Sequence, residues 1–306
     1  MEQRRLGETG PMVSVVGLGC NNFGMRVDEA ATAKVVSAAL DAGITHFDTA
    51  EMYGGGKSEE FLGHALGARR DEVVIATKYL PRPNDEPYTP GVLRKRILDG
   101  CDISLGRLGT DRIDLYYMHY PDAHAPVDEL RDALDTLRQA GKVLHVASSN
   151  VSAEQIDAEA AAGIGFCATQ IEWNLLTRAV EADVVPAARR RGMGIVPYFP
   201  LASGLLTGKY RHGEEFPAGT RLASNAYFAS VATDENFAKV ERLKAWAEQR
   251  GHSVLELAVA WLAAQDGVGS VITGATKPEQ IEANAAGAAW HLTPEEAAEV
   301  GNLAQG

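Results

Sequence analysis

Asp48, Tyr53, Lys78 and His119 are residue types that together can protonate a carbonyl oxygen, and each stands at or just beyond the end of a short apolar run. A phenol titrates near pH ~10 and donates poorly at neutrality, but a neighbouring ammonium stabilises its phenolate and brings the pKa toward the working range. Lys78 is the candidate for that neighbour. An ammonium in a partly dry site needs a counter-charge, which Asp48 offers, and His119 can orient a substrate oxygen or relay a proton. Taken singly, each residue has a plainer reading. Asp48 and Lys78 serve equally well as a structural ion pair, Tyr53 as a packing tyrosine, and His119 as a satisfied histidine at a strand end. It is their joint placement that favours chemistry.

That placement depends on the elements. Residues 43–48, 73–78 and 113–119 read as short strands that end at Asp48, Lys78 and His119. Between them, over 28–41 and 88–105, apolar residues recur every three and four positions, as on a helix face. Strands that alternate with helices pair in parallel, so their ends share one face. Further strands are predicted over 143–147, 166–170, 194–198 and 270–273, and one around 13–17 brings the number to eight. The predicted fold class is α/β, a single (β/α)8 TIM barrel domain over 1–306 with an N-terminal β-hairpin and long loops on its C-terminal face. Such barrels place their active sites at the C-terminal strand ends. The hairpin is predicted around Gly7-Glu8-Thr9-Gly10-Pro11 and would close the barrel floor. The longest segment without a barrel element is 202–230, a length that usually signals function or disorder. Helices follow over 234–249 and 253–264, with a terminal one over 294–303 after Thr293.

The length of 306 residues leaves room for such loops beyond the usual ~250 of this barrel. Hydrophobic residues make up 45% and charged residues 23%, as in an ordinary soluble globule. A net charge of −12 argues against a generic nucleic-acid or anionic-membrane binder, while leaving room for a local basic pocket. The N-terminus MEQRRLGETG lacks the apolar core of a signal peptide and no apolar run approaches the ~20 residues of a span, so a cytoplasmic location is expected. Cys20, Cys101 and Cys167 are odd in number and widely spaced, which argues against a disulfide framework.

The run His46-Phe47-Asp48-Thr49-Ala50-Glu51-Met52-Tyr53-Gly54, followed by Ile75-Ala76-Thr77-Lys78 and Tyr117-Met118-His119, resembles the catalytic signature of the aldo-keto reductase superfamily. The likeness continues through Ser148-Ser149-Asn150, Gln170-Ile171-Glu172-Trp173-Asn174, residues 198–209 and Gly274-Ala275-Thr276-Lys277-Pro278-Glu279-Gln280. Around 204–221 it is nearer to the bacterial and potassium-channel-β-subunit branches than to the aldose-reductase branch.

The resemblance implies reversible hydride transfer between a nicotinamide cofactor, usually NADPH, and an aldehyde or ketone, with Tyr53 as proton donor. It also implies a cofactor site. Ser149, Asn150 and Gln170 would hold the carboxamide, and Tyr198 would stack on the nicotinamide. Leu201, Ser203, Gly204 and Leu206 would lie along the pyrophosphate, with Lys209 offering charge, and Gly274, Thr276, Gln280 and Asn284 would meet the adenine end. Gly19 belongs to this set, although Gly17-Leu18-Gly19 lacks the third glycine of a dinucleotide fingerprint. Gln280 stands where an arginine grips the 2′-phosphate in one branch, and Phe199 where a serine is common. Preference for NADP(H) over NAD(H) therefore rests on Lys277, Arg221 or Lys209. Phe23, Tyr79, Tyr120 and Trp173 are candidates for the carbonyl pocket, with core or rim packing as the plainer reading. A small-molecule aldehyde or ketone is the expected partner, and a monomer is the default.

Three other functions compete. His46 and Asp48, two apart on a strand, face the same side and suggest a metal-dependent hydrolase, although no metal is expected without further ligands. A nucleotide-sensing regulatory subunit would use the same architecture, and an aldolase would use Lys78 as a Schiff base.

Overall fold

Short β-branched and aromatic runs, bounded by glycine and acidic turn residues, alternate with amphipathic stretches along most of the chain, and most become the element their period suggests. The computed structural model describes residues 1–80 and 87–305. It opens with an antiparallel hairpin of β1 (Gln3–Arg5) and β2 (Met12–Ser14). The alternation follows as β3 (Val16–Gly19), α1 (Glu29–Asp41), β4 (His46–Asp48), α2 (Lys57–Leu66), β5 (Val74–Tyr79), α3 (Val92–Leu108), β6 (Ile113–Met118) and α4 (Val127–Gln139). It continues through β7 (Val143–Ser149), α5 (Ala153–Ala161), β8 (Ala168–Glu172), α6 (Val184–Arg190) and β9 (Gly194–Tyr198). Two short helices, α7 (Arg221–Ser224) and α8 (Ala226–Ala229), precede α9 (Asp234–Glu248), α10 (Val254–Ala263), β10 (Val271–Gly274), α11 (Pro278–Ala289) and α12 (Pro294–Gln305).

Eight strands form one parallel sheet in the order β10-β3-β4-β5-β6-β7-β8-β9. Its edges approach each other where Ile195 N–H donates to Gly267 O and Gly269 N–H donates to Ile195 O, so the sheet closes nearly completely into a (β/α)8 barrel. Side chains alternate across each strand. Ala76, Leu115, Tyr117, Ala147, Ala168, Val196 and Ile272 cluster inside, while Phe47 and Ile75 on one side and Tyr116, Val146 and Ile195 on the other pack outward under the helices. No helix among the described residues is long and apolar enough to cross a membrane.

The hairpin seals one end. Leu6 and Val13, both fully buried, join the inner cluster, and Glu8 N–H donates to Gly192 O. At Gly7 a Cβ would stand 2.3 Å from the Cys167 carbonyl oxygen, so only glycine fits this approach.

The first barrel strand differs from expectation. The run predicted over 13–17 divides into the end of β2 and the start of β3. Ser14 Oγ accepts from Thr45 N–H at 2.9 Å and donates to Val16 O at 2.6 Å, which occupies ladder groups and turns the chain at Val15. The segment predicted as a loop over 202–230 contains a 3-10 turn at Ala202–Thr207 besides α7 and α8, but no barrel element. Helix ends follow local chemistry. Asp28 accepts from Ala31 N–H to cap α1, and Ser253 with Glu256 forms a capping box on α10.

Candidate active site

The open end of the barrel carries a buried charge network. Lys78 Nζ donates to Asp48 Oδ1 at 2.6 Å and to Thr49 O at 2.8 Å, and Gln170 Nε2 donates to Asp48 Oδ2 at 2.7 Å. Both carboxylate oxygens are thus occupied, and the fully buried ammonium has its counter-ion. Nζ lies 5.4 Å from the ring centroids of both Tyr53 and Tyr117. Tyr53 begins a 3-10 turn, Tyr53–Gly56, in which Gly54, Gly55 and Gly56 all have positive φ. Its ring meets the His119 imidazole edge-on at 6.0 Å, and Tyr120 stacks on His119 at 4.7 Å.

The electrostatics depart from the expected direction at Tyr53. Burial, and then the Asp48 carboxylate, push its pKa up, whereas Lys78 was expected to draw it down. The Asp48 carboxylate, 2.6 Å from the Lys78 ammonium, itself opposes a phenolate. Tyr53 therefore keeps its proton at neutral pH, the state a donor must start from. Burial and the Lys78 charge hold His119 down to about 3, so its ring is neutral and carries one N–H to donate. Its Nδ1 has no hydrogen-bond partner among the described residues. Donation of a hydrogen bond suits this histidine better than relay of a proton.

A cavity of about 680 Å³ runs from these groups across the barrel mouth. It is lined by Asp48, Tyr53 and His119, and by the candidate cofactor residues Gly19, Ser149, Asn150, Gln170, Tyr198, Leu201, Ser203, Gly204, Lys209, Arg221, Gly274, Thr276, Lys277 and Gln280. Ser149 Oγ donates to Gln170 O, Asn150 Nδ2 donates to His119 O, and Tyr198 Oη donates to Asn150 Oδ1 at 2.9 Å. Gln280 Oε1 accepts from the N–H groups of Thr276 and Lys277, and so caps α11. The segment after Gly208 crosses the mouth and fastens opposite. Arg221 lies between the rings of Phe199 and Phe228 and reaches Asn22 Oδ1 at 3.3 Å, while Arg26 holds Gly219 O.

Six candidates do not line the cavity. Lys78 stands behind Asp48, and Leu206 and Asn284 are buried beside the cavity residues. Of the pocket aromatics only Tyr120 faces the cavity. Phe23 and Tyr79 belong to hydrophobic clusters, and Trp173 packs edge-on against Trp261. Tyr79 follows inward-facing Lys78 by one residue, so strand alternation turns it outward. The lining adds Asn21, Asn22, Met52, Tyr227 and Phe228, together with Arg26 and Phe199. Met52 could have been found from position, since it adjoins Tyr53, and Phe199 is the departure from the family pattern already visible in the sequence. Asn21, Asn22 and Arg26 lie on a loop, and Tyr227 and Phe228 on the short helix α8, whose paths periodicity does not reveal. His46 Nδ1 lies 2.9 Å from Ser270 Oγ, and among the described residues no three potential ligands converge as a metal site.

The aldo/keto reductase family profile matches residues 15–305. The chain belongs to this family. Among its relatives in the aldo/keto reductase family is a probable voltage-gated potassium channel subunit beta of Arabidopsis thaliana, 37% identical over 93% of this chain and 90% of that protein. An aldo-keto reductase of Bacillus subtilis, YhdN, is 34% identical over 99% of this chain and 93% of its own length. The L-glyceraldehyde 3-phosphate reductase of Escherichia coli K12 is 34% identical over 93% and 86%. Family and relatives together support an oxidoreductase.

Proposed function

We propose that the protein, as one domain over 1–306, reduces an aldehyde or ketone to an alcohol with NADPH preferred over NADH and Tyr53 as proton donor. The observation that carries this reading is a phenol and an imidazole facing one cavity, with a buried Lys78–Asp48 pair whose ammonium lies 5.4 Å from the phenol ring. A carbonyl oxygen placed between Tyr53 and His119 would gain negative charge as its carbon is reduced, and both groups can meet that charge. His119 donates its N–H, and Tyr53 gives up its proton. The Lys78 ammonium, held by Asp48 and Thr49 O, then faces a phenolate. In the reverse direction the phenolate takes the proton back.

The rest of the cavity fits a polyanionic dinucleotide. Among the described residues, Arg26, Lys209, Arg221 and Lys277 line it against one carboxylate, Asp48, in a chain of net charge −12. Ser149, Asn150 and Gln170 would hold the carboxamide and Tyr198 the nicotinamide ring, while Leu201, Ser203, Gly204, Lys209 and Arg221 would meet the pyrophosphate. Thr276, Lys277 and Gln280 would meet the adenosine end. When bound, the reduced nicotinamide supplies the hydride. With Gln280 neutral and occupied as a cap, selection of the 2′-phosphate falls to Lys277, Arg221 or Lys209. Exposed Met52, Tyr120 and Tyr227 beside the mouth favour a carbonyl compound with an apolar body.

The test is NADPH oxidation, followed by absorbance, with a panel of aldehydes and ketones beside NADH and a control without carbonyl. Carbonyl-dependent oxidation that vanishes in Tyr53→Phe supports the reading, whereas failure to bind either nucleotide would sink it. The similarity to a probable channel subunit carries a second reading, a nucleotide-sensing regulatory protein. Tight NADPH binding with no turnover on any carbonyl would favour it.

A further inference from the structure

Glu59 is a fully buried carboxylate that the reaction described above does not use. We infer that Glu59 and Arg107 form a positioning pair that fixes the Tyr53 hydroxyl relative to the Lys78 ammonium. The inference rests on the reading of Tyr53 as proton donor.

Glu59 lies in the first turn of α2, directly after the turn that carries Tyr53. Its Oε1 accepts from Thr77 Oγ1 at 2.6 Å. Thr77 precedes Lys78 on β5, so the two side chains leave the strand on opposite faces. On the inner face Lys78 Nζ donates to Thr49 O. The segment 49–59 is therefore pinned at both ends to adjacent residues of one strand, with Tyr53 between the pins.

Arg107 fixes the middle. One nitrogen, Nη1, donates to Glu59 Oε2 at 3.3 Å and to Glu51 O at 3.2 Å, two residues before Tyr53. The guanidinium also lies against Gly56, where a Cβ would stand 2.4 Å from Arg107 Cζ. A buried ion pair adds little stability over an apolar pair of the same shape. Its directional bonds do, however, hold two backbone segments at a set separation. Burial raises the Glu59 pKa, and the hydrogen bonds from Thr77 and Arg107 work against that rise.

The test uses Glu59→Gln, which keeps an acceptor for Thr77 and removes the charge that holds Arg107. Arg107→Lys, at a partly exposed site, is the second variant should the first fail to fold. Either is expected to lower kcat about tenfold to a hundredfold, as small misplacements of reacting groups do, with the calorimetric Kd for NADPH unchanged. Placed on Lys78→Met, Glu59→Gln should add no further loss, because the separation it sets has lost its second member. Unchanged kcat overturns the inference, as does a full multiplicative loss on Lys78→Met or a matching rise in the NADPH Kd. A parent protein that binds NADPH but reduces no carbonyl would instead overturn the reductase reading, and the pair's catalytic role with it.

Discussion

Lys78 has two of its donors committed, one to Asp48 and one to Thr49 O, while burial leads the shifts of the titratable groups around it. Under the proposed mechanism, Tyr53→Phe should lower kcat by about 10²–10⁴-fold, the range of general acid catalysis, and leave the NADPH Kd unchanged by calorimetry. A second prediction concerns His46, which is fully buried and held down to about 4 from its ordinary 6.5. Between these two values the unfolded chain binds a proton that the folded one refuses. The His46 contribution to stability is therefore complete above 6.5 and falls as the pH drops through the window, by about 3 kcal/mol. His46→Asn should flatten the decline of melting temperature over that window, and an equally steep decline would place the titrating group elsewhere. The types and order of the four candidate catalytic residues were legible in the sequence. The direction of the Tyr53 shift was not, because it depends first on how deeply the phenol is buried and then on how near the Asp48 carboxylate lies.

At the scale of elements, the strand and helix periods were plain enough to predict the barrel, and the three strands that carry Asp48, Lys78 and His119 lie where expected. The break between β2 and β3 was hidden because Met12 to Gly19 reads as one nearly apolar run, whereas the kink comes from the Ser14 hydroxyl bonding across to Thr45. The pocket aromatics were misjudged by one rule, alternation, at Tyr79, and by loop paths elsewhere. The hairpin yields its own prediction. Leu6 fills the sealed end and lies far along the barrel from Tyr53, so Leu6→Ala should cost about 2–5 kcal/mol in chemical denaturation. The kcat of the folded fraction should hold, and a drop in it would mean that the floor shapes the mouth.

For the molecule as a whole, the contrast between an acidic chain and a cavity to which the described residues contribute four cations makes anion entry sensitive to salt. Raising ionic strength should weaken NADPH binding more than NADH binding, since the extra phosphate adds charge. Arg221→Ala should narrow that difference, and equal salt slopes in the parent would remove Arg221 from phosphate recognition. The tryptophans have a practical consequence. None of the four lines the cavity, and Trp246 and Trp290 stack together with His252 where α9 meets the end of α11. Ultraviolet-excited indole emission therefore reports on the helical shell, while light emitted by a bound reduced nicotinamide reports on the barrel mouth. One sample can then show whether ligand loss precedes or follows loosening of the shell, with no dye attached.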